Sequence, residues 1–352
     1  MFLCTDKYRV YFEKEAPNYL IDYLEKQVKV KELAVICDSN TVAHCWPLLA
    51  PLLKDLRVEL FVFPAGESNK TMATALGLLE EMLLKKIRRK DLIINLGGGV
   101  VTDLGGFCAS IFKRGVPFIN IPTSLLGMAD AAVGGKTGVD FKGQKNMLGT
   151  FTNPEAVFVW PEFLKTLPEA HLRSGKAEAF KHGLIDNPGL WNAMCSADNL
   201  SYERLIFKSL EIKKKVVDRD PKDSGERKKL NFGHTIAHAL EAYYLDNGLE
   251  ALYHGDAVAA GMIVEGYLSW KYGRLSKEDF DQLRMHLWNC FPKIDIPQSA
   301  IPSLINWMEN DKKNDTEGIA FVLLDAIGEA SVNQRIQEEG VAEGLHYYMA
   351  LR

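Results

Sequence analysis

Between residues 32 and 122 short apolar runs rich in β-branched residues alternate with segments of helical periodicity, and few folds tolerate that alternation. The order is "ELAVICDSN", "TVAHCWPLLAPLLKDL", "VELFVFPAG", "TMATALGLLEEMLLKKI" and "DLIINLGGG", then a short helix containing "DLGGFCASIFKRG", then "VPFINIPTS". Strands separated by helices pair in parallel, because a parallel neighbour needs a crossover rather than a tight turn. After "FLKTLPEAHLRSG" the pattern changes to long helical stretches, with "GIAFVLLDAIG" as the main remaining strand candidate. The expectation is an α/β fold with a parallel-sheet domain over residues 1–168 and a mainly α-helical domain over residues 169–352. The small-residue segment "GMADAAVGGKTGVDFKGQKNMLGTF", which follows "VPFINIPTS" within the first domain, reads as a loop.

Composition narrows the partners. With 352 residues, 47% hydrophobic, 25% charged and a net charge of −4, the chain has no basic field for nucleic acid or an anionic membrane. Its start, "MFLCTDKYRV", never becomes a signal-peptide core, and no run approaches the about 18 apolar residues of a membrane span, so the cytoplasm is the expected location. Six cysteines lie scattered without a CxxC pair and read as small buried residues. Lysine pairs and triplets such as Lys213 to Lys215, Lys228 with Lys229, and Lys312 with Lys313 read first as solvated helix faces.

Two stretches carry chemistry. In "DLIINLGGGVVTDLGGF" a buried strand ends at Gly97, Gly98 and Gly99 and passes straight into a helix, whose first N–H groups and positive dipole end suit a pyrophosphate. The spacing is GGGxxxD rather than GxGxxG, so a tight turn where helix meets sheet is the competing reading, and Asp103 could cap the helix or bond cofactor hydroxyls. In "NFGHTIAHALEA" His234 and His238 stand four apart, and Arg227 and Asn231 extend the spacing backwards into one polar stripe, with Leu230, Phe232, Ile236 and Leu240 on other faces. Such a stripe suits the wall of a cavity that grips an anion and a metal, and spacing alone would let both histidines reach one ion. An exposed polar face is the competing reading. Glu178 in "SGKAEAFKHG" and His254 in "LYHGDAVAAGM" are candidate further ligands; one glutamate and two histidines would leave positions open for substrate. His44, His171, His182, His286 and His346 read as ordinary surface or core histidines.

Seven motifs occur in order: "GGGVVTDLGGF", "RGVPFINIPTSLLGMADAAVGGKTGV", "KNMLGTF", "FLKTLP", "SGKAEAFKHG", "LNFGHTIAHALE" and "HGDAVAAGM". Together they closely resemble the 3-dehydroquinate synthase family, from about residue 60 to residue 330; the wider relatives are the sugar-phosphate cyclases and the metal-dependent polyol dehydrogenases. The resemblance implies a Rossmann-like first domain, a helical second domain and an active site in the cleft between them. It makes Glu178, His234 and His254 the ligands of zinc, with cobalt an acceptable substitute, and turns His238 toward the substrate and its phosphate. Around the substrate it puts Asp130, Lys136, Lys145, Asn146, Lys181, Lys213, Arg227 and Asn231. Arg114 would reach in from the neighbouring subunit of a homodimer, and Lys312 or Lys313 would close the site. For NAD it points to Glu67 and Lys70, to Gly97, Gly98, Gly99, Val100, Val101, Thr102 and Asp103, to Thr123 and Ser124, to Phe163, Leu164, Lys165 and Thr166, and again to Lys136 and Lys145.

The implied reaction turns 3-deoxy-D-arabino-heptulosonate 7-phosphate into 3-dehydroquinate and phosphate, with NAD reduced and regenerated in each cycle. Arg and Lys suit a substrate that carries both a carboxylate and a phosphate. Four positions depart from the common family pattern: Ala65, Thr102, Gln144 and Asp256, where aspartate, glycine, glycine and glutamate are usual. Rival readings are another sugar-phosphate cyclase, such as 2-deoxy-scyllo-inosose synthase or 2-epi-5-epi-valiolone synthase, an NAD-dependent polyol dehydrogenase, and a catalytically inactive dinucleotide-binding or scaffold protein.

Overall fold

The computed structural model describes residues 2–12, 15–26, 32–142, 144–196, 200–311 and 318–351. They form two compact units, Met1–Leu172 and Arg173–Arg352. In chain order the first unit contains β1 (Phe2–Cys4), β2 (Arg9–Phe12), α1 (Ala16–Lys26), β3 (Glu32–Asp38), α2 (Ser39–His44), α3 (Trp46–Leu49), β4 (Arg57–Phe63), α4 (Met72–Leu84), β5 (Leu92–Gly97) and α5 (Gly99–Ile111). It continues with β6 (Phe118–Pro122), β7 (Lys136–Phe141), β8 (Gln144–Phe151) and β9 (Ala156–Val159).

Seven strands form one sheet in the order β1-β2-β9-β6-β5-β3-β4, parallel except where β1 meets β2. Every residue of β5 is buried, which is why "LIINLG" shows no polar alternation. From β3 the chain steps outward to β4 and returns to β5 on β3's other side, so the carboxyl ends of β3 and β5 flank a topological switch point. Helix α5 packs closely against this sheet at Gly105 and against β7 of the β7–β8 hairpin at Gly106, because both residues lack side chains. A Cβ on Gly105 would fall 2.1 Å from Asn95 Oδ1, and one on Gly106 would fall 2.5 Å from Thr137 Cγ2. The buried Asn95 is held in turn by donating to Asn120 Oδ1 at 3.0 Å.

Three expectations need correction here. The stretch 41–56 is not one helix: α2 and α3 meet at Cys45, with a proline at the start of α3, and a 3-10 turn over Ala50–Leu53 follows. The segment after β6 is not a plain loop but a π-helical turn over Gly127–Ala131 followed by the β7–β8 hairpin. Three of the six cysteines are buried, but Cys4 and Cys290 are exposed and Cys195 is half-buried.

The second unit takes up α6 (Glu169–Asp186), which begins just before the division, and then α7 (Pro188–Cys195), α8 (Tyr202–Arg219), α9 (His234–Asp246), α10 (His254–Lys271), α11 (Lys277–Cys290) and α12 (Ile301–Asp311). It ends in a hairpin of β10 (Ile319–Ala326) and β11 (Glu329–Ile336), then α13 (Glu338–Ala350). Helix α10 is the hub, buried from Gly255 to Ser269, and its near-absence of polar periodicity follows from contact on all sides. None of the described helices is long and apolar enough to cross a membrane.

Candidate functional site

Helix α6 carries Glu178 and Lys181 on one face, three residues apart, and both side chains are about 1% exposed. Lys181 donates to Glu178 Oε2. Burial would raise the carboxyl's pKa, but Lys181 and then His234 outweigh it and hold Glu178 well below the usual carboxylate range. Its other oxygen, Oε1, is buried without a hydrogen-bond partner among the described residues.

Two histidines face that oxygen. His234 is the first residue of α9 and His254 the first of α10. Their Nε2 atoms lie 3.5 Å and 3.3 Å from Glu178 Oε1. Both Nδ1 atoms have acceptors on the far side of the ring: the Phe232 carbonyl at 3.2 Å for His234, and Glu241 Oε1 at 3.2 Å for His254. An acceptor at Nδ1 assigns the proton there and leaves the lone pair on Nε2. Three lone-pair donors within 4.8 Å of one another repel unless a cation or proton lies among them. The donor set, one carboxylate and two imidazoles, is that of an open divalent metal site. Without a cation the ring protons divide unequally. Burial and then Lys181 push His234 down to about 4, whereas at His254 the carboxylates Glu241 and Glu178 overcome the effect of burial and raise it to about 9.

The polar stripe expected on a single helix is split. Arg227 and Asn231 belong to a 3-10 turn over Glu226–Asn231, which ends before Gly233 turns the chain at φ +80°. A side chain at Gly233 would meet Met262 Cγ at 2.7 Å and the Val258 carbonyl at 2.8 Å, and its left-handed backbone also favours glycine. Phe232, Ile236 and Leu240 are fully buried, each contributing about 1.5–3 kcal/mol, so the apolar face sets the orientation of α9. His238 stands beside the three donors, its ring centroid 5.5 Å from that of His234. Lys213, on α8, and Arg227 are both buried, although Lys214 and Lys215 beside Lys213 form surface pairs with Asp218 and Asp186. Asp220 gathers the turn before Arg227: its carboxylate accepts the N–H groups of Ser224, Gly225 and Arg227. Lys312 and Lys313 lie outside the described residues.

On the first unit, α5 begins at Gly99 with Gly98 as its cap, and among the described residues no side chain caps it. An uncapped end of a 13-residue helix, at the carboxyl end of β5, fits a phosphate. Thr123 donates its N–H to the Gly97 carbonyl, and Ser124 accepts the N–H of Gly127, so both are fixed against this turn. Thr102 bonds back to the Gly99 carbonyl and is buried, so the departure from glycine is absorbed inside the helix. Lys70 is buried among Glu67 at 2.8 Å, Asp103 at 3.6 Å and Asp140 at 3.7 Å, with Lys145 3.8 Å from Glu67. Burial opposes its charge, but the three carboxylates outweigh it and raise its pKa. Asn146 donates its N–H to Asp140, while Lys136 is exposed at the start of β7. Arg114 is exposed just after α5, Asp130 lies in the π-helical turn, and of the 3-10 turn Pro161–Thr166 Phe163 and Leu164 are buried while Lys165 and Thr166 are not.

Sequence reasoning missed three supports of the second unit. Asp256, the departure from glutamate, receives both Nε and Nη2 of Arg173 at 2.7 Å and 2.8 Å, tying the start of α10 to α6. Glu241 and Glu265 are buried acids in otherwise apolar helical runs, "HALEA" and "GMIVEGYL", and that mismatch was the available signal.

Comparison with known proteins agrees with this organisation. The family model for the 3-dehydroquinate synthase N-terminal region matches residues 60–174, and that for the C-terminal region matches residues 175–314. A 3-dehydroquinate synthase of Parabacteroides distasonis is 37% identical over 95% of this chain and 96% of its own. One of Campylobacter concisus is 36% identical over 96% and 98%. Among solved structures, 2-epi-5-epi-valiolone synthase of Streptomyces hygroscopicus, with NAD+ and Zn2+ bound, is 25% identical with a TM-score of 0.86 over 98% of each chain. A 2-deoxy-scyllo-inosose synthase, at 22% identity and a TM-score of 0.84 over 99% of each, shares the fold.

Proposed function

The chain belongs to the 3-dehydroquinate synthase family, and from that premise we propose that it converts 3-deoxy-D-arabino-heptulosonate 7-phosphate to 3-dehydroquinate with release of phosphate. The observation that carries the proposal is the convergence of Glu178, His234 and His254 around one point, with the buried Lys181 on the same carboxylate. These three side chains would hold a zinc ion, or cobalt in its place. The turn Gly97 to Asp103, with Glu67, Lys70, Thr123, Ser124 and Phe163 to Thr166, would hold NAD. When bound, the metal supplies Lewis acidity toward substrate hydroxyls, and NAD supplies reversible hydride transfer.

The chain's own residues do the rest. Arg227, fixed by the Asp220 loop and always charged, suits the substrate carboxylate, and Lys213 on the neighbouring helix α8 adds a second cation. Lys181 neutralises the carboxylate side of the donor set and offers protons toward the same point. His238 and Asn231, flanking His234 in sequence, bind substrate oxygens and steer the phosphate, whose own oxygen is a competent base for its elimination. Asp130, Lys136, Lys145 and Asn146 complete the substrate set, with Arg114 supplied by the partner in a homodimer. Holding one conformer of a flexible sugar acid and excluding water is a large share of the work. A cytoplasmic location is part of the same reading.

The test is a phosphate-release assay with NAD and zinc on the heptulosonate phosphate, beside glucose 6-phosphate and sedoheptulose 7-phosphate. Release from the first alone is expected. Turnover of either sugar phosphate without the carboxylated substrate would assign the chain to another cyclase activity.

A further inference from the structure

Helices α9 and α10 each begin with one of the two histidines, and each also carries a buried acid directed at the other helix's start. Glu241, on α9 and 4% exposed, has Oε1 3.2 Å from Nδ1 of His254 on α10. Glu265, on α10 and fully buried, accepts the N–H of Gly233 at 2.8 Å, the residue just before His234 on α9. A buried carboxylate costs several kcal/mol unless its partners compensate, and an apolar residue of similar size would pack both positions more cheaply. Packing therefore does not account for these acids; their directed bonds do.

We infer that Glu241 and Glu265 are positioning residues: each helix fixes the ring or backbone that aims the other helix's histidine at Glu178. The inference rests on the reading of Glu178, His234 and His254 as metal ligands. Glu241 can only accept from the ring, so it keeps the proton on Nδ1 of His254, leaves the lone pair on Nε2 and stops the imidazole turning over. Glu265 holds Gly233 in its left-handed turn. With that turn fixed, Phe232 presents its carbonyl to Nδ1 of His234 at 3.2 Å, and the same tautomer follows. The two helices come close enough for this exchange because position 261 is glycine: a Cβ there would fall 1.9 Å from the Gly233 carbonyl.

The experiment is cobalt binding by purified full-length protein, read as the dissociation constant from chelator competition and as the visible absorption spectrum, with the melting temperature of the metal-free protein alongside. Glu241→Ala is expected to weaken cobalt binding about 10–100-fold and to alter the spectrum. Glu241→Gln, which still accepts from Nδ1 but without charge, recovers part of the affinity. Glu265→Gln keeps an acceptor for Gly233 and stays within a few-fold of wild type, whereas Glu265→Ala does not. Wild-type affinity and spectrum in Glu241→Ala would overturn the inference. So would a Glu241→Ala loss that merely follows a collapsed melting temperature while Glu241→Gln binds as wild type. Wild-type protein that takes up no cobalt would overturn the ligand reading itself, and the inference with it.

Discussion

Asp220 illustrates how a single carboxylate can organise a segment with little regular structure. It closes α8, and its two oxygens accept three backbone N–H groups and the Ser224 hydroxyl, at 2.6 to 3.1 Å. Those bonds, led by the one from Ser224, lower its pKa from an ordinary 3.8 to about 2. The sign follows from linkage. The unfolded chain takes up this proton at higher pH than the folded one, so the stabilisation is complete above about pH 4 and is lost as pH falls toward 2. Asp220→Asn should therefore be less stable than wild type at pH 6, with the difference in urea midpoint shrinking by pH 3. A difference that stays constant across that range would show that charge at Asp220 does not hold the loop. Because Arg227 is one of the three donors, the variant should also raise KM for the carboxylated substrate.

At the scale of elements, contact between backbones decides more than contact between side chains. Gly261 on α10 faces the Gly233 carbonyl so closely that Gly261→Ala must push α9 away, and neither partner is a flexible side-chain end. Overpacking of this kind costs about 1–3 kcal/mol, measurable as a lowered urea midpoint, and should also weaken metal binding because both histidines begin these helices. Gly77, in the middle of α4, faces open space: a Cβ there would meet no described atom within 4 Å, so Gly77→Ala should raise stability by about 0.5–1 kcal/mol instead. The same contrast explains what could be read in advance. The runs that became β3, β5 and β6 were legible because strands buried on both faces need continuous apolar residues, and β4, a half-exposed edge strand, was legible from its β-branched and aromatic residues. β1, β2 and β9 were not, since three or four residues carry too little periodicity to separate from a loop. At the site, the histidines and Glu178 were legible as chemistry, but the break at Gly233 was not. Helical spacing continues across it in sequence, whereas the groups that crowd and hold Gly233, Met262, Val258 and Glu265, are distant along the chain.

For the whole molecule, the two proposed ligand sets fall on different units: the proposed metal donors lie within Arg173–Arg352, and the glycine turn proposed for NAD lies within Met1–Leu172. Each unit has a core of its own, one around α4, α5 and the sheet and the other around α10. A ligand bound only by the folded state adds stability where it binds, about 2.7 kcal/mol at one hundred times its dissociation constant. Hydrogen exchange read by mass spectrometry should therefore give two separate footprints. Zinc should slow exchange in α6 and in the first turns of α9 and α10. NAD should slow it at the β5–α5 turn and around Lys70, where unprotected helix N–H groups gain a partner. Adding a chelator should erase the first footprint and leave the second in place. Zinc protection spread evenly across both units, or centred on α5, would contradict the assignment of the metal to Glu178, His234 and His254.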